Sequence, residues 1–315
     1  MTKSVNVRLL VVEALQEILE KGQMSHQVLA AVLDKYQYLE KQERAFLSRS
    51  VEGVMEYLLR LDYILDSFSK TPVKKMKPFI RNLLRMSLYH LFYMDNVPER
   101  AVVSEAVKLA EKKGFYGLKG FVNGLLRNII RNKEHISWPE EEMRRLEVQY
   151  SVPSWIIEEW CASYGKEEAE RILKGMHEER PLNIRVNVAK ISPEECKARL
   201  EAEGVTVRTH PYLSECLEIS DYDYLGKLVS FQKGLFQVQD ISSMLAGHLA
   251  VSYLKNIGKS SGGVVLDMCS APGGKALYVA EHCPKAQILA RDISDYKQTL
   301  IEENIRRSGW GRTGG

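Results

Sequence analysis

The chain is poor in cysteine and has no long apolar run, and each lack narrows what it can be. It holds five cysteines in 315 residues: Cys161, Cys196, Cys216, Cys269 and Cys283. An odd number of widely spaced thiols argues against a disulfide framework and fits a reducing compartment. No C-x-x-C or H-x-x-x-H spacing occurs, so no metal site is expected. No segment approaches eighteen uninterrupted apolar residues, so a membrane-spanning helix is not expected either. The opening "VNVRLLVVEALQEILEKG" carries Glu13, Glu17 and Glu20 inside its apolar pattern. That is an amphipathic helix rather than a signal peptide, and the expected location is the cytoplasm.

Neither sign of charge dominates overall, but the balance is uneven along the chain. The net charge is +3. Residues 1–133 carry 22 Lys and Arg against 14 Asp and Glu, while residues 134–315 carry 22 against 27. A basic segment joined to an acidic one is read either as a polyanion-binding module or as a solvated surface.

Residues 1–133 read as helices throughout. Val11, Leu15 and Ile18 share one face, and "KQERAFLSRSVEGVMEYLLRLDYIL" continues the period, with Phe46, Val54, Leu58 and Leu61 as core. Pro78 opens "FIRNLLRMSLYHLFYM", and Pro98 precedes "RAVVSEAVKLAEKKG". In "GFVNGLLRNIIRNK", Phe121, Leu125 and Ile129 form an apolar stripe, with Val122, Leu126 and Ile130 beside it. Asn123, Arg127 and Arg131 form a polar stripe at i, i+4, i+8. "VKKMKPFIRNLLR" adds Lys74, Lys75, Lys77, Arg81 and Arg85. Charge alone does not separate phosphate contact from solvent at these positions.

Residues 134–180 read as a helical connector, with Pro139 and Pro153 ahead of helical patterns. Trp138, Trp155 and Trp160 fall among apolar residues and are expected to be packing anchors. Residues 181–235 change character. "NIRVNV" alternates as a strand, "SPEECKARLEAEG" is a helix capped by Ser192 and stopped at Gly204, and "VTVRTH" and "CLEIS" are short strands. This is a small α+β unit. Its Arg185 is placed either to reach phosphate or to pair with a carboxylate.

Residues 236–315 carry the most specific pattern. Val264 to Met268 reads as a buried parallel strand. "CSAPGGK" follows, with Gly273 and Gly274 permitting close backbone approach. "KALYVAEHC" is the next helix, and "AQILARDIS" a second strand ending in Asp292. Strand, glycine turn, helix and acid-ended strand open a nucleotide-binding sheet, in which the acid can accept hydrogen bonds from ribose hydroxyls. The spacing is not G-x-G-x-x-G, which counts against a dinucleotide-dependent oxidoreductase.

Three stretches of the first 133 residues, "RAFLSRSVEGVMEYLLRLDYIL", "FIRNLLRMSLYHLFYMDNVPERAVVSEAVKLA" and "GFVNGLLRNIIR", together resemble the NusB fold, an all-helical RNA-binding module. D-x-C-x-A-P-G-G-K resembles the S-adenosylmethionine loop of RNA cytosine-C5 methyltransferases. "PLNIRVN", "SVPSWIIEEWCASYG" and "VQDISSMLAG" also match that family. The two parts joined are similar to the bacterial methyltransferases B of small-subunit ribosomal RNA. The resemblance implies a multi-domain architecture: an all-α NusB-like domain (1–133), the connector (134–180), the α+β unit (181–235) and the start of a Rossmann-like α/β methyltransferase domain (236–315). It implies S-adenosyl-L-methionine bound by Cys269, Ser270, Ala271, Pro272, Gly273, Gly274, Lys275 and Asp292, with Asp267 positioning the loop. It implies 16S ribosomal RNA as partner, contacted through the basic helices; the candidate contacts are Lys74, Lys75, Lys77, Arg81, Arg127 and Arg131, with Arg185 of the strand as the phosphate alternative, and a monomer is expected.

In that family the nucleophilic thiol lies in a Thr-Cys pair downstream of the glycine loop, with a second cysteine in an earlier Pro-Cys pair. Neither pair occurs here, so no catalytic residue is assigned in this chain and Cys269 is read as a wall of the pocket. Residues 236–315 are short for a methyltransferase domain. The expectations are a truncated enzyme without methyl transfer of its own, weak or absent donor affinity and an open apolar sheet edge. A non-catalytic NusB-like RNA-binding or antitermination module is the alternative.

Overall fold

A computed structural model describes residues 5–178, 181–222, 224–260 and 262–310. They divide after Glu178 into two compact units.

The first unit is helical: α1 (Val7–Leu19), α2 (Ser25–Lys35), α3 (Lys41–Glu56), α4 (Leu58–Phe68), α5 (Pro78–Tyr93), α6 (Glu99–Lys112), α7 (Lys119–Arg131), α8 (Glu142–Tyr150), α9 (Ser154–Tyr164) and α10 (Lys166–Met176). Local chemistry sets the ends. Asn6 accepts the Leu9 amide ahead of α1, and Pro78 occupies the first turn of α5. The apolar stripes meet in one core around Leu15, Leu47, Leu61, Leu83 and Leu126. The pattern read as one helix from Lys41 breaks at Tyr57, the shared end of α3 and α4. The Tyr57 ring stacks 4.0 Å from that of Tyr93.

The connector helices α8 to α10 gather their own cluster, Leu146, Tyr150, Val152, Ile157 and Leu173. Trp160 packs against it. Trp138 stacks on Tyr63 with Arg60 over its ring. Trp155 is not the expected anchor: it is 68% exposed. It stands two positions from buried Ile157, hence on the opposite side of α9.

The second unit runs β1 (Leu182–Val186), α11 (Pro193–Ala202), β2 (Thr206–Thr209), β3 (Cys216–Ser220), α12 (Val229–Gln232), β4 (Phe236–Val238), α13 (Ile241–Asn256), β5 (Val264–Asp267), α14 (Gly274–His282), β6 (Gln287–Ala290) and α15 (Asp295–Ser308). Ser192 and Glu195 form a capping box on α11. An antiparallel sheet has the order β2-β3-β1-β4, and β5 pairs with β6 in parallel. Phe236 lies beyond the expected boundary at residue 235, yet it pairs with Val186 and fills the same core as Ile184 and Val186. A cut there would remove a strand from the sheet.

The strand β5 forms where expected but is not buried on both faces. Val265 and Ile288 pack with α13 and α14 residues. On the opposite face Val264 and Leu266 are 63% and 51% exposed. Met268 and Ile293 just beyond the two strands are also exposed. Among the described residues β5 has β6 as its one ladder partner, so its other edge presents free backbone groups beside apolar side chains. We expect concentration-dependent self-association through this surface. Val264→Thr with Leu266→Thr keeps strand propensity and should lower the associated fraction in sedimentation velocity severalfold. An unchanged fraction would place the association elsewhere.

Candidate functional site

The loop between β5 and α14 is held residue by residue. The Ser270 amide donates to the Arg291 carbonyl at 3.0 Å. The Ala271 amide donates to Asp292 Oδ2 at 3.1 Å. Asn304 of α15 donates to the Pro272 carbonyl at 2.8 Å. Gly273 donates to the Ser270 carbonyl at 2.6 Å and caps α14. Arg185 of β1 donates to the Gly274 carbonyl at 2.8 Å. Lys275 lies 3.9 Å from Asp267 and 3.4 Å from the Cys269 carbonyl.

Gly273 has φ +103°, which a side chain would strain. A Cβ at Gly274 would press to 3.1 Å on the Gln239 amide, so β4's end and the loop are in contact. Burial opposes the charge of Asp292, but the Ala271 and Ile293 amides and Lys297 lower its pKa below the ordinary aspartate value. The carboxylate therefore remains an acceptor around the loop. Three buried oxygens here accept or donate no hydrogen bond within the protein: Asp267 Oδ2, whose nearest cation is Lys275 at 3.9 Å, Ser270 Oγ and Gln239 Oε1. Buried acceptors without donors are costly, and their clustering at a glycine loop suits a polar ligand. The structure thus brings Asp267, residues 269–275 and Asp292 together. Gln239 and Asn304 join them unanticipated.

The first-unit cations behave differently from one another. Lys74, Lys75, Lys77, Arg127 and Arg131 are exposed. Arg81 is instead held by Glu20 in an ion pair that leaves its side chain 19% exposed, so it is not a free phosphate ligand. Arg127 and Arg131 line an open groove of about 970 Å³ between α6 and α7, together with Arg100, Lys108, Lys119 and Asn123. Arg185 is fully buried and pairs with Glu281 at 2.9 Å. Of its two readings the carboxylate partner holds and the phosphate contact does not, because α14 covers its face of the strand.

Around Arg185 the inner face of α14 carries Tyr278, Glu281 and His282. Tyr278 donates to Glu215. His282 sits 3.4 Å from the same carboxylate and places its other ring nitrogen 2.9 Å from the Tyr278 carbonyl. Hydrogen bonding to His282, ahead of the opposing effect of burial, brings Glu215 down to about 2. The same contact raises His282.

Glu215 therefore contributes stability above pH 4.5 that is lost as pH falls through about 2, whereas the contribution of His282 is complete below pH 6.5 and lost as pH rises through its raised value. We expect Glu215→Gln to cost roughly 2–3 kcal/mol near pH 5.5. The deficit should vanish near pH 2 and shrink at alkaline pH. Thermal unfolding of both proteins across this range checks it; a deficit independent of pH would refute the ion pair.

Among the described residues no cluster of His, Cys, Asp and Glu could hold a metal ion, and no helix is long and apolar enough to cross a membrane.

Comparison with known proteins supplies the class. Residues 5–131 match the NusB family, 152–222 the RsmF/B-like ferredoxin-like domain of methyltransferases, and 256–313 the 16S rRNA methyltransferase RsmB/F family. The helical NusB-like unit, the ferredoxin-like sheet and the glycine-loop region thus define a multi-domain methyltransferase architecture. The probable ribosomal RNA small subunit methyltransferase B of Bacillus subtilis is 34% identical over 98% of this chain and 67% of its own length. The ribosomal RNA small subunit methyltransferase B of Klebsiella pneumoniae is 28% identical over 98% of this chain and 68% of its own. The crystal structure of PH0851 superposes with a TM-score of 0.75 at 21% identity, covering 98% of this chain and 68% of that one. The chain belongs to the ribosomal RNA small subunit methyltransferase B family.

Proposed function

We propose that this chain carries the methyl-donor loop and the RNA-contacting helices of an S-adenosyl-L-methionine-dependent methyltransferase acting on C5 of a cytosine in 16S ribosomal RNA. The observation that supports the donor reading best is the anchored glycine loop with its three buried oxygens that make no hydrogen bond within the protein. S-adenosylmethionine supplies an electrophilic methyl group. Residues 269–275 would hold its methionine and adenosine parts, and Asp292 would accept from its ribose while keeping the Ala271 amide in place.

The five thiols fit a chain that does not itself form the covalent adduct. A nucleophilic cysteine needs a depressed pKa beside the base. Burial instead pushes Cys196 up to about 11 and Cys216 up to about 12. Cys283 is buried, Cys161 is part of α9, and Cys269 belongs to the donor loop. We infer that cytosine addition requires a thiol other than these.

Titration with millimolar S-adenosylmethionine, followed by amide NMR, should shift residues 267–275 and 292 and be abolished by Gly273→Val. NADH should leave them unmoved. Labelled S-adenosylmethionine incubated with the chain and unmodified 16S RNA should transfer no methyl group above background. Shifts confined to other residues would sink the donor reading, and transfer would sink the inference about the thiols.

RNA contact rests on the exposed cations of Lys74 to Lys77 and of the α6–α7 groove. An RNA-binding module without catalysis predicts the same contacts, so the two readings separate at the loop. Charge reversal at Arg127 and Arg131 should weaken 16S fragment binding at least tenfold and flatten its salt dependence. Asp292→Ala should leave that affinity unchanged. Filter binding at several salt concentrations measures both; undiminished binding in the reversal variant would exclude the groove.

A further inference from the structure

Arg185 sits at the centre of the antiparallel sheet, opposite Cys216 on β3 and Gln237 on β4. Its neighbours Ile184 and Val186 face the core of that sheet. Alternation turns Arg185 the other way, toward α14. There one guanidinium nitrogen holds the Gly274 carbonyl and the other the Glu281 carboxylate, at 2.8 and 2.9 Å. The guanidinium also lies 5.4 Å from the Tyr278 ring centre. One side chain therefore grips α14 at its first residue and again two turns later.

Stability alone does not call for this arrangement. A fully buried ion pair must offset a desolvation cost of several kcal/mol per ion, and apolar residues of like volume serve as well or better. Burial disfavours both charges: it lowers Arg185 and raises Glu281 to about 7, with each partner opposing the shift of the other. What apolar packing cannot do is orient a carbonyl. The Gly274 carbonyl belongs to the peptide that leaves the glycine turn, directly after the residue at φ +103°. Fixing that peptide fixes the direction of the first amides of α14. The guanidinium has the planar fork needed to reach two oxygens at once, whereas a lysine ammonium is a point charge.

We propose that Arg185 is a positioning residue for the donor loop, its fork tying the Gly274 carbonyl to Glu281 so that the ferredoxin-like sheet sets the loop's conformation. This rests on the reading of residues 269–275 as the donor site. It gives the strand "NIRVN" a role in donor binding rather than in RNA contact.

The test uses the whole chain with Arg185→Lys, Arg185→Met and Glu281→Gln. Hydrogen exchange at the Ser270, Ala271, Gly273 and Leu277 amides, all bonded in the structure, should quicken at least tenfold in both Arg185 variants and less in Glu281→Gln. The Val186 amide, bonded to the Glu215 carbonyl at 2.8 Å, should keep its protection. A merely structural arginine would loosen loop and sheet together, or would be replaced by methionine without effect on either; each result overturns the proposal. Donor titration then separates the two readings. If S-adenosylmethionine binds the native chain, Arg185→Lys should raise its half-saturation concentration at least fivefold, and equal affinity overturns the proposal. If no donor binds while loop exchange alone quickens, the clamp stands and the donor reading fails.

Discussion

The glycine loop depends on one buried guanidinium, whose two terminal nitrogens are bonded. An arginine removed from water must find acceptors, and few are available to Arg185: the Gly274 carbonyl and the Glu281 carboxylate of α14. Reaching both requires α14 to lie across the sheet face that carries Arg185. That placement brings Tyr278 against α13, where a Cβ at Gly247 would stand 2.8 Å from the Tyr278 ring. It also brings Tyr278 and His282 to Glu215. One buried charge thus organises the layer from which the loop projects.

The loop itself shows why glycine and acid occur together. Gly273 can take a positive φ at no steric cost, but the same freedom makes the turn floppy unless its polar groups are tied. Here successive residues are tied by different elements: Ser270 by the end of β6, Ala271 by Asp292, Pro272 by Asn304, Gly274 by Arg185. Residues that permit the conformation and residues that hold it are therefore distinct. The motif contains the first kind, and most of the second kind lie elsewhere in the chain.

That division explains what was legible beforehand. Helix starts at Pro78, Ser192 and Pro98, and the stop at Gly204, depend on neighbours a few residues away, so local pattern sufficed. The β-loop-α-β order was legible for the same reason. The burial of Arg185 was not, because its partner is 96 positions distant, and a polar residue alternating with Ile and Val looks the same facing water or facing a helix. Arg81 likewise reads as one cation in a basic run until Glu20 is seen beside it. The exposed face of β5 is illegible in the sequence for a related reason. An all-apolar run signals two covered faces, but coverage is a property of the layers around it. Trp155 shows the converse: being surrounded by apolar residues in sequence is not being surrounded by them in space.

The cations thus fall into two physical classes that composition merges. Arg185 acts at hydrogen-bond distance in a low-dielectric interior, where salt has little effect on it. Lys74, Lys75, Lys77, Arg127 and Arg131 face solvent, where their attraction for a polyanion is long-ranged and screened. The acidic balance of residues 134–315 repels a polyanion at long range, so on the proposed reading RNA affinity must come from the exposed class in the helical unit. The buried class then acts on the donor loop alone. Salt should accordingly weaken RNA binding while leaving the loop's geometry intact, because the two kinds of positive charge answer to different solvents.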